Sequence, residues 1–233
     1  MNTVIITGGT SDIGYETIKE FYNKYEVVFT FNKNVKKAKK IEKFFKAKGF
    51  KVNLNNFDSI NNFFRKINKK KIVSLIHIAA EQSKREALDE MKQSTITKLI
   101  EANCIGTSLL LQKTIKQMKQ NKNKNKNIIM ISSQSAKFGG NKISIYSASK
   151  AYLDGLNLSL SKELPPSIKI NNITLGKVAT SRLKKSFQIN KNLSKDIPMR
   201  RLGEPREVAH SIKILIEKFT YLSGADIKLT GGR

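Results

Sequence analysis

The chain has 233 residues, 39% of them hydrophobic, and its 44 lysines and arginines against 18 aspartates and glutamates give a formal net charge of +26. This length is enough to bury one sizeable core, and no linker-like stretch divides it, so we expect a single domain over residues 1–233. The lone Cys104 excludes a disulfide framework, and no apolar run approaches about 18 residues, which predicts a soluble, cytoplasmic protein without a membrane span.

The excess of positive charge is compatible with a nucleic acid, an anionic membrane or an acidic protein partner. Lysine and asparagine crowd the loops, most densely in 119–127, and no zinc-finger, helix-turn-helix or RNA-binding motif accompanies them. We interpret most of the charge as a solvated surface and expect no specific nucleic-acid partner. An acidic protein partner stays open.

Short apolar runs suited to buried strands alternate along the chain with helical patterns. The runs are 2–7, 26–31, 50–53, 72–79, 127–133, 168–174 and 225–229, and the helical patterns are 13–24, 34–48, 58–69, 94–119, 145–163 and 205–217. This alternation predicts an α/β fold with a doubly wound, Rossmann-type parallel sheet of about seven strands and helices on both faces. Ligands of such a sheet bind at the carboxyl ends of its strands.

The first strand runs into the sequence TGGTSDIG, residues 7–14, which predicts a strand-to-helix turn. Glycines here let backbone N–H groups approach a pyrophosphate at the start of a helix. Asp12 stands where another glycine is expected. Aspartate tolerates left-handed backbone angles, and its charge beside a phosphate is a cost unless the carboxylate caps the helix.

A tyrosine and a lysine, Tyr146 and Lys150, are spaced to share one face of the helix predicted at 145–163. The ammonium can favour the phenolate form, and so lower the pKa of the tyrosine. Ser133 ends the preceding strand. Residues 176–203 then lack periodicity over a length unusual for a connection, which predicts a lid; we call them the lid segment.

In order and separation, the glycine-rich turn, Asn103, Ser133, the YSASK sequence at 146–150 and the final Thr-Gly-Gly resemble the classical short-chain dehydrogenases/reductases over nearly the whole chain. The resemblance implies that Tyr146 is the general acid or base and that Ser133 holds the carbonyl oxygen. It also implies that Lys150 binds the nicotinamide ribose and lowers the tyrosine pKa, while Asn103 positions a proton-relaying water.

The resemblance further implies a nicotinamide cofactor and no metal. Positions that match the cofactor contacts of the family are Gly8, Thr10, Ser11, Asp12, Ile13, Gly14, Asn32, Lys33, Asn53, Ala79, Tyr146, Lys150, Val178 and Thr180. No acid follows the second strand, and Lys33 can pair with a 2′-phosphate, so NADP(H) is expected, with NAD(H) the alternative. Ser11 argues against this, because many NADP-dependent members carry a basic residue there.

His77 stands in place of a structural asparagine of the family. As one of only two histidines it could carry protons near the cofactor, but a buried, hydrogen-bonded histidine is the interpretation we favour. Cys104 is expected to be a small buried residue.

Three functions stay open. The first is an NADPH-dependent 3-oxoacyl reductase acting on acyl carrier protein, whose acidity suits a basic enzyme. The second is a reductase or dehydrogenase of a small or nucleotide-linked alcohol or sugar, with a phosphate held by the basic lid segment. The third is a cofactor-sensing binding protein without catalysis. Family members are dimers or tetramers that pack through the helices matching 94–119 and 145–163, so a homo-oligomer is expected.

Overall fold

The computed structural model describes residues 1–123, 125–186 and 194–233, with 184–186 as backbone only. The part of the lid segment at 187–193 lies outside the described residues. Seven parallel strands form one sheet in the order β3-β2-β1-β4-β5-β6-β7. The strands are β1 Thr3–Thr7, β2 Glu26–Phe31, β3 Lys48–Lys51, β4 Ile72–His77, β5 Asn127–Ser133, β6 Lys169–Leu175 and β7 Asp226–Leu229. The predicted doubly wound sheet is confirmed.

Helices follow the strands and cover both faces of the sheet. They are α1 Asp12–Phe21, α2 Val35–Phe45, α3 Phe57–Lys66, α4 Gln93–Ile100, α5 Thr107–Lys119, α6 Ser135–Phe138, α7 Ser144–Glu163, α8 Ser181–Ser186 and α9 Pro205–Lys218. The short helices α6 and α8 were not predicted, because four and six residues are too few to show a helical period.

Alternation along each strand divides the core into two layers. On β1, Val4 and Ile6 pack into one layer and Ile5 into the other, as the two-residue period of a strand requires. The first layer also contains buried residues of α1, α2 and α9, and the second contains those of α3, α5 and α7. Both faces of β1 are therefore buried, which explains why its sequence is apolar throughout and does not alternate between apolar and polar residues.

The helix predicted at 94–119 is interrupted. Its ends are correct to within one residue, but a π-helical turn, Glu101–Gly106, separates α4 from α5. Gly106 packs against the loop after β3, where an added Cβ would lie 2.2 Å from the carbonyl oxygen of Leu54. Such turns bulge one residue out of the helical ladder and are common at functional sites. Asn103 lies inside this one.

Among the helices of the described residues, none combines the length and apolar character needed to cross a bilayer. The carboxyl ends of β1, β4 and β5 lie side by side at one edge of the sheet. The glycine-rich turn, Ser133 and the segment after His77 meet at that edge.

Candidate active site

The glycine-rich turn begins α1 with a capped N-terminus. The hydroxyl of Ser11 accepts a hydrogen bond from the Gly14 N–H at 3.0 Å and donates one to the Gly8 carbonyl at 2.8 Å. Ser11 is therefore the cap of the helix, and Asp12 is not. Gly8 has a φ of +69°, a conformation that glycine adopts without strain.

Asp12 instead connects three segments of the chain. One carboxylate oxygen accepts the backbone N–H of Ser181 at 2.6 Å, and the other lies 3.4 Å from the Lys37 ammonium. Although partial burial opposes it, the hydrogen bond from Ser181 and the charge of Lys37 hold the pKa of Asp12 below its ordinary value. The carboxylate is thus charged but paired with Lys37, which offsets much of its electrostatic repulsion toward a bound phosphate.

The turn leaves no room for side chains, as a phosphate-binding cradle requires. A Cβ on Gly14 would lie 2.3 Å from the Gly8 carbonyl oxygen, and one on Gly8 would lie 3.1 Å from the Ala79 nitrogen. Ile13 is buried in the core, so only its backbone faces the turn. Since the Asp12 and Ile13 N–H groups at the start of α1 have no acceptor among the described residues, whereas the Gly14 N–H is used by Ser11, this turn fits a dinucleotide phosphate.

The remaining predicted cofactor residues lie at the ends of neighbouring strands. Asn32 and the exposed Lys33 follow β2, and Asn53 follows β3, where its side chain accepts the N–H of Asn55 at 3.2 Å. Thr10 lies half-buried in the glycine-rich turn. These positions share the edge expected to bind the adenosine half of a dinucleotide.

The start of the lid segment completes this edge. Val178 forms an isolated parallel bridge with Gly203, and the Thr180 hydroxyl accepts the N–H of Leu183 at 3.2 Å. The two ends of the lid segment are therefore joined beside the carboxyl end of β6.

Tyr146 and Lys150 share α7, as predicted. Lys150 is 4% exposed, and its ammonium donates to the Ile131 carbonyl of β5 at 2.7 Å. The same ammonium lies 5.9 Å from the centroid of the Tyr146 ring. Ser133 ends β5 two residues beyond Ile131, where its hydroxyl accepts hydrogen bonds from the backbone and hydroxyl of Ser135. The anchor of Lys150 therefore fixes α7 against the strand that carries Ser133.

Asn103 is tied to the same helix. Its amide exchanges hydrogen bonds with the Glu81 backbone at 2.8 and 2.9 Å and donates to the Ser149 hydroxyl at 3.0 Å. Ser149 in turn donates to the Tyr146 carbonyl at 2.7 Å. The π-helical turn is thus held to both the segment after β4 and the first turns of α7.

The electrostatics of Tyr146 differ from the sequence-based expectation. Burial raises the pKa of the phenol, while a hydrogen bond from Gln82 and the charge of Arg182 act in the opposite direction. Burial also lowers the pKa of Lys150 to about 8, opposed by the Asp154 carboxylate and aided by Arg182. The expected lowering of the tyrosine pKa by Lys150 and a positively charged nicotinamide ring is not seen in the protein alone, where desolvation of the phenol is the larger effect.

His77 is a buried structural residue. Its Nδ1 lies 3.0 Å from the Thr7 hydroxyl and its Nε2 lies 3.0 Å from the Thr107 hydroxyl. Burial, together with the charge of Lys150, lowers the pKa of His77 to about 3, so the ring is neutral near pH 7. Burial likewise raises the pKa of the Cys104 thiol. Neither group is suited to carry protons at neutral pH.

Two residues beside the phenol, Gln82 and Arg182, were not among the predicted site residues. In the sequence Arg182 is one of several basic residues of the lid segment, and no pattern marks Gln82. Their contact spans 100 positions of the sequence, which no local pattern can reveal. Among the described residues, no group of three or more histidine, cysteine or acidic side chains is placed to bind a metal ion.

Comparisons with known proteins agree with this geometry. A family model described as short chain dehydrogenase matches residues 2–191. The 3-oxoacyl-(acyl-carrier-protein) reductase FabG of Buchnera aphidicola subsp. Acyrthosiphon pisum is 32% identical over 238 residues, which cover 99% of this chain and 96% of that protein. The protein of the same name from Aquifex aeolicus is 30% identical, with 99% and 87% covered.

The same fold is found in a solved structure from Brucella melitensis, a 3-ketoacyl-(acyl-carrier-protein) reductase complexed with NADH. It superposes with a TM-score of 0.92 at 21% identity, covering 100% of this chain and 98% of the other.

Proposed function

The chain belongs to the short-chain dehydrogenase/reductase family, and on that premise we propose that it is an NADPH-dependent 3-oxoacyl-(acyl-carrier-protein) reductase. The observation that carries the proposal is the similarity to two reductases of that name over 99% of the chain. The intact set of Asn103, Ser133, Tyr146 and Lys150 supports catalysis over a binding role alone.

The protein side chains act on the carbonyl oxygen. Tyr146 donates its phenolic proton to that oxygen as the alcohol forms, and Ser133 holds the oxygen by a hydrogen bond. Lys150 is anchored to β5 and keeps α7 in register with Ser133. Asn103, fixed by Glu81, connects the site to a path for proton resupply.

The dinucleotide is held by the glycine-rich turn, by the ends of β2 and β3, and by the start of the lid segment. When bound, a nicotinamide cofactor supplies the hydride that adds to the carbonyl carbon. Lys150 also serves as a donor to the ribose, since its ammonium has further N–H groups beyond the one given to Ile131.

A preference for NADPH is supported by the residues after β2. Asn32, Lys33 and Asn34 include no carboxylate to repel a 2′-phosphate, and Lys33 is exposed and able to pair with one. Asp12, the nearby acid, is already neutralised by Lys37.

An acidic carrier protein in the cytoplasm and a homodimeric or homotetrameric assembly are part of this proposal. The net charge of +26 favours an acidic partner.

Exposed apolar side chains on the helical segments expected to pack together support self-association; Ile105 is 44% exposed, Tyr152 40% and Leu158 60%. Light scattering of the purified protein tests the assembly, and a monomer at micromolar concentration contradicts it.

The proposed activity is tested by following NADPH oxidation with 3-oxoacyl groups attached to acyl carrier protein. We expect turnover of these thioesters and little or none of phosphorylated sugars or nucleotide-linked carbonyls. Turnover of the latter alone identifies the second function, and binding of NADPH without any turnover identifies a sensing protein.

A further inference from the structure

Gln82 and Arg182 form a polar pair at the mouth of the site. An Nη1 hydrogen of Arg182 is donated to the Gln82 Oε1 at 3.0 Å. Gln82 follows Glu81, whose backbone is hydrogen-bonded to Asn103, and Asn103 is linked through Ser149 to the Tyr146 carbonyl. Both Gln82 and Arg182 are exposed to solvent. Neither belongs to the set that acts on the reacting carbonyl.

The Arg182 guanidinium is held beside the site by Gln82, which follows Glu81, the residue whose backbone is hydrogen-bonded to Asn103. Its positive charge opposes the rise that burial causes in the pKa of Tyr146 and adds to the lowering of the pKa of Lys150. Among the described residues no carboxylate pairs with Arg182, and its contact with Gln82 uses only part of the five N–H groups of a guanidinium. The described residues therefore leave most of its hydrogen-bonding capacity unused, and a ligand could take it up.

The position of Arg182 is fixed by its neighbours on α8. The N–H of Ser181 is held by Asp12 at 2.6 Å, and the N–H of Leu183 is held by the Thr180 hydroxyl at 3.2 Å. The backbone that carries Arg182 is thus bonded on both sides. Asp12, which departs from the glycine of the family, provides one of the two bonds.

We propose that Arg182 and Gln82 bind a second oxygen of the substrate, a hydrogen-bond acceptor that lies a few bonds from the carbonyl reduced at Tyr146. The chemistry required is that of a 3-oxoacyl compound, in which a thioester carbonyl or a carboxylate stands two carbons from the ketone. Arg182 donates to that oxygen while Gln82 bridges it to the phenol. The inference rests on the proposed function and makes the two residues determinants of its specificity.

A guanidinium recognises an oxygen acceptor by direction as well as by charge. A carboxylate can accept two parallel N–H bonds from Arg182, whereas a thioester carbonyl accepts them on a single neutral oxygen. An aldehyde or simple ketone presents no second oxygen and leaves the pair unused. Selectivity among these three substrates is therefore the property that Arg182 controls.

The test compares Arg182→Met and Arg182→Lys with the parent protein on three substrates: a 3-oxoacyl thioester of pantetheine, the free 3-oxo acid, and an aldehyde of similar length. For Arg182→Met we expect kcat/KM to fall about 10- to 100-fold for the substrates with a second oxygen, mainly through KM, as for loss of a hydrogen bond to a charged group. At pH 7 the phenol, whose pKa is raised by burial, is protonated with or without Arg182, so the aldehyde should change by less than about 3-fold, as for a substrate that never used the bond.

Comparing the lysine variant on the free acid and on the thioester distinguishes the source of the second oxygen. Lysine keeps the positive charge but lacks the two parallel N–H donors of a guanidinium. Partial rescue of activity for the acid but not for the thioester therefore identifies a carboxylate as the natural group. A loss for the thioester that lysine does not restore identifies the thioester carbonyl. Both results support the second-oxygen site.

Arg65→Met is the matched control, because Arg65 lies exposed on α3 and donates to Asn62 of the same helix. It should leave all three substrates unchanged. An equal loss on all three substrates with Arg182→Met, or a shifted pH profile with unchanged selectivity, overturns the proposal and makes Arg182 a residue that only positions or acidifies Tyr146. If the parent protein reduces none of the three, the proposed function itself has failed. Melting temperatures of all variants report folding independently of activity.

Discussion

At the scale of single residues, the hydroxyl of Tyr146 is the group to which the proposed reaction assigns proton transfer. Tyr146→Phe removes that oxygen and keeps the ring, so we expect kcat to fall about 10²- to 10⁴-fold, the usual share of a general acid. NADPH oxidation measures the rate. Fluorescence titration should show that the variant still binds NADPH, and an undiminished rate in a folded variant would rule out the assigned role.

His77 predicts a pH dependence of stability. Its folded-state pKa of about 3 lies below the ordinary 6.5, so below pH 6.5 the unfolded chain binds a proton that the folded chain does not. The free energy of unfolding therefore decreases as the pH falls through this range. From pH 7 to 5 we expect a loss of about 2 kcal/mol from this residue, measured by urea unfolding.

His77→Asn provides the comparison, because asparagine can bond to hydroxyls and does not titrate. The variant should lose about 2 kcal/mol less than the parent protein over the same pH interval. His210 is exposed in both proteins and cancels from the difference. Equal pH slopes in the two proteins would show that the His77 ring takes up its proton as readily in the folded as in the unfolded state.

Sequence patterns identify residues of the site better than they identify contacts. Tyr146 and Lys150 are four apart on one helix, and that spacing alone predicts their shared face. The bond between Asp12 and Ser181 spans 169 positions and depends on how the lid segment returns to the first turn. The rise in the pKa of Tyr146 in the protein alone could not be predicted for a similar reason, since burial is a property of the whole fold.

At the scale of elements, the close contact at Gly106 is a sensitive point. A methyl group there would meet the Leu54 carbonyl oxygen at 2.2 Å, so α5 or the loop after β3 must move. We expect Gly106→Ala to lower the free energy of unfolding by more than about 2 kcal/mol. Thermal or urea unfolding measures it.

Gly203→Ala is the control for this substitution. Its Cβ would lie 3.7 Å from the nearest atom, a Val178 methyl, which is an ordinary contact. We expect a change within about 0.5 kcal/mol. If the two variants unfold alike, the crowding at Gly106 is not what determines its stability.

The strands were predicted closely because most of them lie in short runs of apolar residues. β2 and β5 match their predicted ranges, and the other strands differ by one or two residues at one or both ends. The π-helical turn could not be predicted, because hydrophobic spacing through 94–119 is compatible with a continuous helix. The interruption depends on the contact between Gly106 and a different part of the chain.

At the scale of the whole molecule, charge governs association with an acidic carrier. We expect the affinity for acyl carrier protein to decrease steeply between about 20 and 300 mM salt, because the Debye length shortens from roughly 20 Å to 6 Å. Calorimetric titration at several salt concentrations measures the slope. Salt-independent binding, or none at low salt, would contradict a carrier held by the +26 charge.

The π-helical turn at Glu101–Gly106 is equivalent to one amino acid inserted into an otherwise regular helix, which advances everything after it by about 100°. A single codon deletion inside it would turn α5 by about 100° relative to α4 and carry its buried Leu110, Leu111 and Met118 out of the second core layer. The same deletion would swing the Asn103 amide away from Glu81 and Ser149. Loss of one residue here would therefore damage core packing and the Asn103 contacts together, so the length of this turn is constrained by the fold and by the site at once.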